Sequence, residues 1–184
     1  FFTIFCIIIL INALNFYDGI NGQSIIFLII IFSYLSLKSP IFIFYLFTTL
    51  ILIFILFLNL TGKVFMGDNG IYFIGAILSA SLIYEYNEFG SFEFADEIFI
   101  LLMLPGYDLL RLSLTRLLKG KNPFLGDRNH LHHILVNKFN YKNSILIINT
   151  IILLPIVFAF NLNINLLFII LITTLIYILL IKRK

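Results

Sequence analysis

The segment Asp127-Arg128-Asn129-His130-Leu131-His132-His133 sets three imidazoles, a guanidinium and a carboxylate within seven residues. Such groups are costly to hold near lipid, and in an otherwise greasy chain they mark a polar site. Arginine forks onto paired oxygens and histidine donates from its ring, so the segment suits phosphate or diphosphate. Zinc is the other chemistry these residues permit, but no Cys or second acidic ligand lies nearby. Two further islands carry the acidic half. In Asn12-Ala13-Leu14-Asn15-Phe16-Tyr17-Asp18-Gly19-Ile20-Asn21-Gly22, Asn12 and Asn15 share a helix face that Asp18 extends by another step. In Phe65-Met66-Gly67-Asp68-Asn69-Gly70, a carboxylate sits between two glycines behind an aromatic on which a planar base could stack. A carboxylate there is a good ligand for Mg2+, which takes one or two carboxylates and fills its other positions with water and substrate phosphates. Each island also has a plain structural reading. The first is a polar helix end with a glycine cap, and Asp68 is the cap of a helix starting near Ile71.

The elements that must position these groups are written in the apolar pattern. Hydrophobic residues make up 61% of the chain and charged residues 11%, against about one half and one quarter in soluble domains. Apolar runs fall at 1–11, 25–37, 41–58, 71–84, 98–107, 145–160 and 164–181. Several are shorter than the roughly 20 residues a span needs, which is tolerable where the flanks lie against other helices. The expectation is an all-α, polytopic membrane helix bundle of about six spans plus a partial first one, forming a single catalytic domain over 1–184. Pro105-Gly106 is expected to break the fifth span. Beyond it Asp108, Arg111, Thr115 and Lys119 recur opposite Leu110, Leu114 and Leu117, the pattern of an amphipathic helix. Asp108 and Arg111 read as an i,i+3 ion pair with a structural role. The chain opens at Phe1 inside an apolar run with no charged leader, so it is expected to lack an N-terminal part.

Lysine and arginine set the orientation. With the 12–23 loop cytoplasmic and spans alternating, Lys63, Arg111, Arg116, Lys119, Lys121, Arg128, Lys138, Lys142, Lys182, Arg183 and Lys184 share that side, and only Lys38 falls outside. Glu85, Glu88, Glu93, Asp96 and Glu97 gather on the outer side. All three polar islands therefore face the cytoplasm. A transporter would also carry broken helices and buried charge. Against it, the polar residues cluster at one membrane face while the runs 41–58 and 164–181 hold no charge. The lone Cys6 excludes a disulfide within the chain.

Together the islands at 12–22, 65–70 and 127–133 resemble the polyprenyl-phosphate N-acetylhexosamine-1-phosphate transferases, glycosyl transferase family 4, in family order and along essentially the whole chain. His130-Leu131-His132-His133 looks like the N-acetylglucosamine branch of that family and not the branch with three consecutive histidines. The resemblance implies transfer of N-acetylhexosamine 1-phosphate, N-acetylglucosamine 1-phosphate in the branch it looks like, from a UDP-sugar to undecaprenyl phosphate with release of UMP. That would be the first membrane step of a cell-envelope polysaccharide such as lipopolysaccharide. It implies Mg2+, with Mn2+ as an alternative, bound by Asp68, and uracil stacked on Phe65. Asn12, Asn15 and Asp18 would line the nucleotide pocket, with Asp18 and Asp68 in the catalytic set. Arg128, His130, His132 and His133 would contact the sugar diphosphate, His132 and His133 as catalytic groups. The implied partners are polyprenyl phosphate, a UDP-N-acetylhexosamine and the membrane, with no nucleic acid and with a homodimer left open. The implied location is the bacterial inner membrane, multi-pass, with the site facing the cytoplasm.

Two departures from the family pattern matter. Asn21 stands where the family often has a second Asp. The paired aspartates of the family's N-terminal motif are absent, and Asp96-Glu97, the only adjacent acidic pair between spans, falls on the outer side. This chain alone is therefore expected to lack transferase activity, and an inactive homologue acting as an assembly partner is the remaining alternative.

Overall fold

The computed structural model describes residues 1–122, 129–160, 162 and 164–182. Among these the regular elements are all helical: α1 (Phe2–Tyr17), α2 (Gln23–Lys38), α3 (Phe42–Leu60), α4 (Gly67–Tyr84), α5 (Ala95–Leu118), α6 (Leu131–Lys138), α7 (Tyr141–Phe160) and α8 (Leu166–Ile181), with a π-helical turn at Glu85–Phe89 continuing α4. The chain forms two compact units, Phe1–Phe94 and Ala95–Lys184.

In the first unit α2 packs on α3, and α1 on α4. The buried face of α2 is the stripe Phe27, Leu28, Ile31, Phe32 and Leu35, and α3 answers with Tyr45, Thr49 and Leu52. The rest of α3 is apolar too. Phe44, Phe47, Ile51, Phe54 and Phe57 are exposed, the inverse of a soluble helix and the pattern of one facing lipid. Gly75 lets α1 and α4 approach closely: a Cβ there would stand 3.3 Å from Leu14 Cδ1 and 3.4 Å from Ile11 Cγ1.

In the second unit α5, α7 and α8 pack around one another and α6 lies against α7 and α8. Ile100, Ala159 and Ile169 form a small core near one end, sealed by Phe160, Ile164, Leu166 and Ile170. The side chain of Asn165 starts α8 by accepting from the Leu167 and Phe168 amides, the usual repair for the free N–H groups of a first turn.

Three helices, α3, α5 and α7, are long and apolar enough to cross a membrane, while α1, α2 and α8 are apolar but shorter. At 16 residues each of these rises about 24 Å, short of a bilayer core of about 30 Å. Polar chain at their ends accounts for the difference from the expected count, because the islands at 12–23 and 161–165 interrupt the apolar runs. The expected break at Pro105 does not occur. Pro105 lies inside α5, which runs unbroken from Ala95 to Leu118. A proline removes one backbone hydrogen bond, and the helix, packed against α7 and α8, continues past that loss.

Candidate functional site

The first unit collects its polar groups where α1 ends and α4 begins. α1 stops at Tyr17, and Asp18 leaves the helix with φ −79° and ψ 62°, so it does not continue the Asn12–Asn15 face as expected. Its carboxylate turns to the start of α2, where the Ser24 hydroxyl donates to Oδ1. Asn15 Nδ2 donates to Asp68 Oδ1 at 2.9 Å, joining islands 53 residues apart in sequence. Asn12 takes no part in that contact; its Nδ2 donates to the Ile8 carbonyl of its own helix at 2.7 Å.

Asp68 is not the helix cap. α4 begins at Gly67, its N-cap is Met66, and no side chain caps it. The carboxylate lies exposed in the first turn, where the positive end of the helix dipole favours a negative charge. Among the described residues Asn15 alone donates to it. Burial pushes the Asp18 carboxyl above its ordinary value, the Ser24 hydrogen bond works against that rise, and the charge of Asp68 adds to it. Two carboxylates close enough to repel, one of them open to solvent, with an amide beside them, make an oxygen-rich set that fits a hard divalent cation. Phe65, three residues before Asp68, is 69% exposed, and its ring is accessible to a planar partner.

Two residues missed in the sequence hold this end together. Asn59, buried near the end of α3, accepts from the Gly22 amide at 2.7 Å and donates to the Val64 carbonyl at 3.0 Å. It thereby braces the turn before α2 and the strand of coil leading to Asp68. A lone amide inside the apolar run 51–60 was the available signal. Ser24 is the other, fully buried beside Asp18. Gly22 needs its φ of +81°, and a Cβ there would meet Leu60 Cδ2 at 3.1 Å.

Glu85 belongs to the acidic cluster expected on the outer side. It lies at the opposite end of α4 from Asp68, about 26 Å along the axis, but it is fully buried. Ser39 and Tyr45 donate to its Oε1 at 2.6 and 2.7 Å, and Ser91 donates to Oε2.

The second unit organises the histidine segment around Asp108. The expected Asp108–Arg111 pair forms, with Arg111 Nη2 2.8 Å from Asp108 Oδ1. The carboxylate does far more than pair. Oδ1 also accepts from the Tyr177 hydroxyl at 3.0 Å and from the Leu131 amide at 3.1 Å, while Oδ2 lies 2.9 Å from His130 Nδ1. Asp108 thus caps α6 from another helix and orients the first histidine, a role its position in the sequence did not reveal. Arg111 Nη2 donates to the Asn129 carbonyl at 2.6 Å and Nε to the Tyr177 hydroxyl at 3.0 Å, tying down the residue before the histidines.

His130 stacks on His132 with ring centres 5.4 Å apart and planes 9° off parallel, and His132 lies 4.3 Å from His133. His130 and His132 are buried, whereas His133 is half-buried. His132 is pushed down to about 3, by burial first and then by His133 and His130, with Asp108 opposing. It is therefore neutral near pH 7, and neither of its ring nitrogens has a hydrogen-bond partner. Arg128 and Asp127 lie outside the described residues. Among the described residues no group of three or more His, Cys, Asp or Glu is placed to hold a metal, so the histidines gain no support as a zinc site.

The described residues form an all-helical, membrane-type chain with a carboxylate pair in one unit and an aspartate-anchored histidine segment in the other, and comparisons with known proteins give its family. The profile of glycosyl transferase family 4 matches residues 1–85. The chain is 31% identical over 141 residues to an undecaprenyl-phosphate alpha-N-acetylglucosaminyl 1-phosphate transferase of Thermotoga maritima, covering 76% of this chain and 44% of that protein. It is 31% identical over 147 residues to the protein of the same name from Yersinia pestis, covering 73% of this chain and 40% of that one. No solved structure matches. The chain belongs to glycosyl transferase family 4, and it spans less than half the length of these two relatives.

Proposed function

We propose that this chain forms part of an enzyme that transfers N-acetylhexosamine 1-phosphate, from UDP-N-acetylglucosamine, to undecaprenyl phosphate at the cytoplasmic face of the bacterial inner membrane, releasing UMP. The observation that carries this reading is the contact between Asn15 and Asp68, which joins two of the three polar islands at one end of the first unit. Asp68 and Asp18 would hold Mg2+, with Mn2+ as the substitute. A cation held by these carboxylates would supply charge neutralisation for the phosphates that react. Asn15 fixes the Asp68 carboxylate, and Phe65 offers its exposed ring to uracil.

In the second unit Asp108 holds His130 and the start of α6, so that His133 is the histidine most open to a ligand. His132, neutral and unpaired, can donate one ring N–H to an oxygen without bringing a charge. Phosphoryl transfer of this type asks the protein for alignment and charge neutralisation more than for covalent chemistry. A polysaccharide of the cell envelope is the corresponding destination of the product.

The test uses protein expressed from the whole reading frame that encodes this chain, supplied with Mg2+, labelled UDP-N-acetylglucosamine and undecaprenyl phosphate. Labelled lipid that requires both Mg2+ and Asp68 is the expected result. Label transfer indifferent to Asp68→Asn would sink the assignment of the cation site.

A further inference from the structure

We infer that the crevice between α5 and α8 in the second unit seats one anionic phospholipid of the bilayer, with an acyl chain in the crevice and the phosphate at its basic rim. The crevice has a volume of about 400 Å3 and is lined by Tyr107, Leu110, Thr174, Tyr177, Ile178 and Ile181, with Arg111 and Lys182 beside them. Its wall is almost wholly apolar, and it runs along α8 for the eight residues from Thr174 to Ile181, about 10 Å. That length accepts part of one acyl chain and is far too short for a whole polyprenyl chain.

Charge identifies the headgroup. Arg111 spends Nε and Nη2 on Tyr177, Asp108 and Asn129, and among the described residues nothing engages its Nη1. Lys138 folds onto the end of α8, donating to the Leu180 and Lys182 carbonyls at 2.7 and 2.8 Å, and so brings a further cation to that end. Against these cations the nearby described acid is Asp108, since Asp96 and Glu97 lie at the far end of α5. A basic pocket between membrane helices at the headgroup level is the kind of site that takes an anionic lipid, each lysine or arginine contributing about 1 kcal/mol. Tyr107 and Tyr177, with ring centres 5.4 Å apart and planes tilted by 46°, give the crevice an aromatic wall at the same level, where such rings favour the interface.

The experiment reconstitutes the full chain in nanodiscs of equimolar phosphatidylglycerol and phosphatidylcholine, releases it into detergent and identifies co-purifying lipid by native mass spectrometry. Wild-type chain retains phosphatidylglycerol in preference to phosphatidylcholine. Lys182→Gln, at an exposed helix end where folding is not at stake, lowers that preference about fivefold. Leu110→Trp, which fills the crevice from an exposed position, lowers retention of both lipids. Equal retention of the two lipids by wild type overturns the inference. So does a phosphatidylglycerol preference that survives both substitutions, which would place the lipid on the basic tail. Polyprenyl phosphate added at equal concentration leaves the bound phosphatidylglycerol in place; complete displacement would reassign the crevice to the prenyl lipid and overturn it as well.

Discussion

Asp68 and Asp108 are the same residue in the same kind of helix, and they are used in opposite ways. Asp68 is exposed in a first turn and accepts one described hydrogen bond, from Asn15. Asp108 is buried mid-helix and accepts from Arg111, Tyr177, His130 and the Leu131 amide. A carboxylate with spare lone pairs at a helix start is available to a cation, whereas one whose oxygens are all engaged has become part of the frame. The difference separates ligand binding from positioning, and it makes each assignment breakable by a single substitution.

The largest effect is expected at Asp68. Asp68→Asn keeps shape and the capacity to accept from Asn15 but removes the charge a hard cation needs. Transfer by the whole-frame protein should fall at least about a thousandfold, roughly 4 kcal/mol of barrier, with thermal stability unchanged. Mg2+ affinity should also weaken as pH falls from neutrality through a range above the ordinary carboxylate one, because the buried Asp18 holds its proton to higher pH. Cation binding followed by titration calorimetry at several pH values checks both; unchanged affinity in Asp68→Asn would move the cation elsewhere.

Asp108→Asn should do the reverse, damaging the frame before the chemistry. Removing one member of a buried, hydrogen-bonded charge set leaves Arg111 unpaired and sets an amide N–H against donors, at roughly 3–4 kcal/mol. The measurement is thermal unfolding in detergent together with hydrogen exchange over α6, whose first amide is left with an uncharged and weaker acceptor. Full protection of α6 in the variant would show that the carboxylate does not position the histidines.

How much of this was legible follows the same division. The fold class, the helical runs and the i,i+3 pair of Asp108 and Arg111 come from periodicity and composition, which local sequence carries. The joining of Asn15 to Asp68 lies 53 residues apart and was anticipated only as a shared side of the membrane. The bond from Asp108 to His130 and the double brace at Asn59 were not legible, since nothing local distinguishes a polar residue that reaches across a bundle. Pro105 misled for a related reason: the preference of one residue was overruled by packing on both sides of it. The burial of Glu85 was not legible either, since the three hydroxyls that bond to it come from positions 39, 45 and 91.

A smaller, graded effect is expected from His132. Its folded value, about 3, lies below the ordinary 6.5, so the folded chain binds fewer protons than the unfolded one as pH drops between those values. Stability contributed by the neutral ring is present above about 6.5 and is lost as pH falls toward 3, by up to about 1.4 kcal/mol per pH unit. His132→Phe should flatten that dependence in thermal unfolding measured from pH 7 to pH 5. An unaltered slope would mean the ring is solvated and free to carry charge, bringing the second unit closer to the open character of the first.

The smallest effect tests whether the open end of the first unit is held by backbone shape. Gly22 and Gly62 both adopt positive φ, +81° and +72°, but a Cβ at Gly22 would meet Leu60 and Leu56 at 3.1 and 3.3 Å while one at Gly62 meets nothing within 4 Å. Alanine at either site takes on the left-handed penalty of about 1–2 kcal/mol. At Gly22 it must also push two leucine side chains, whose ends can yield by a few tenths of an ångström, so the additional cost should stay under about 1 kcal/mol. Gly22→Ala should therefore unfold at a lower temperature than Gly62→Ala by a few degrees. It alone should also weaken cation binding, because Gly22 fixes the turn that carries Asp18 to Ser24 and its amide is held by Asn59. Equal melting temperatures and equal cation affinities in the two variants would show that the turn adapts freely, and that the Asp18 carboxylate owes its place to Ser24 and not to the bend that precedes α2.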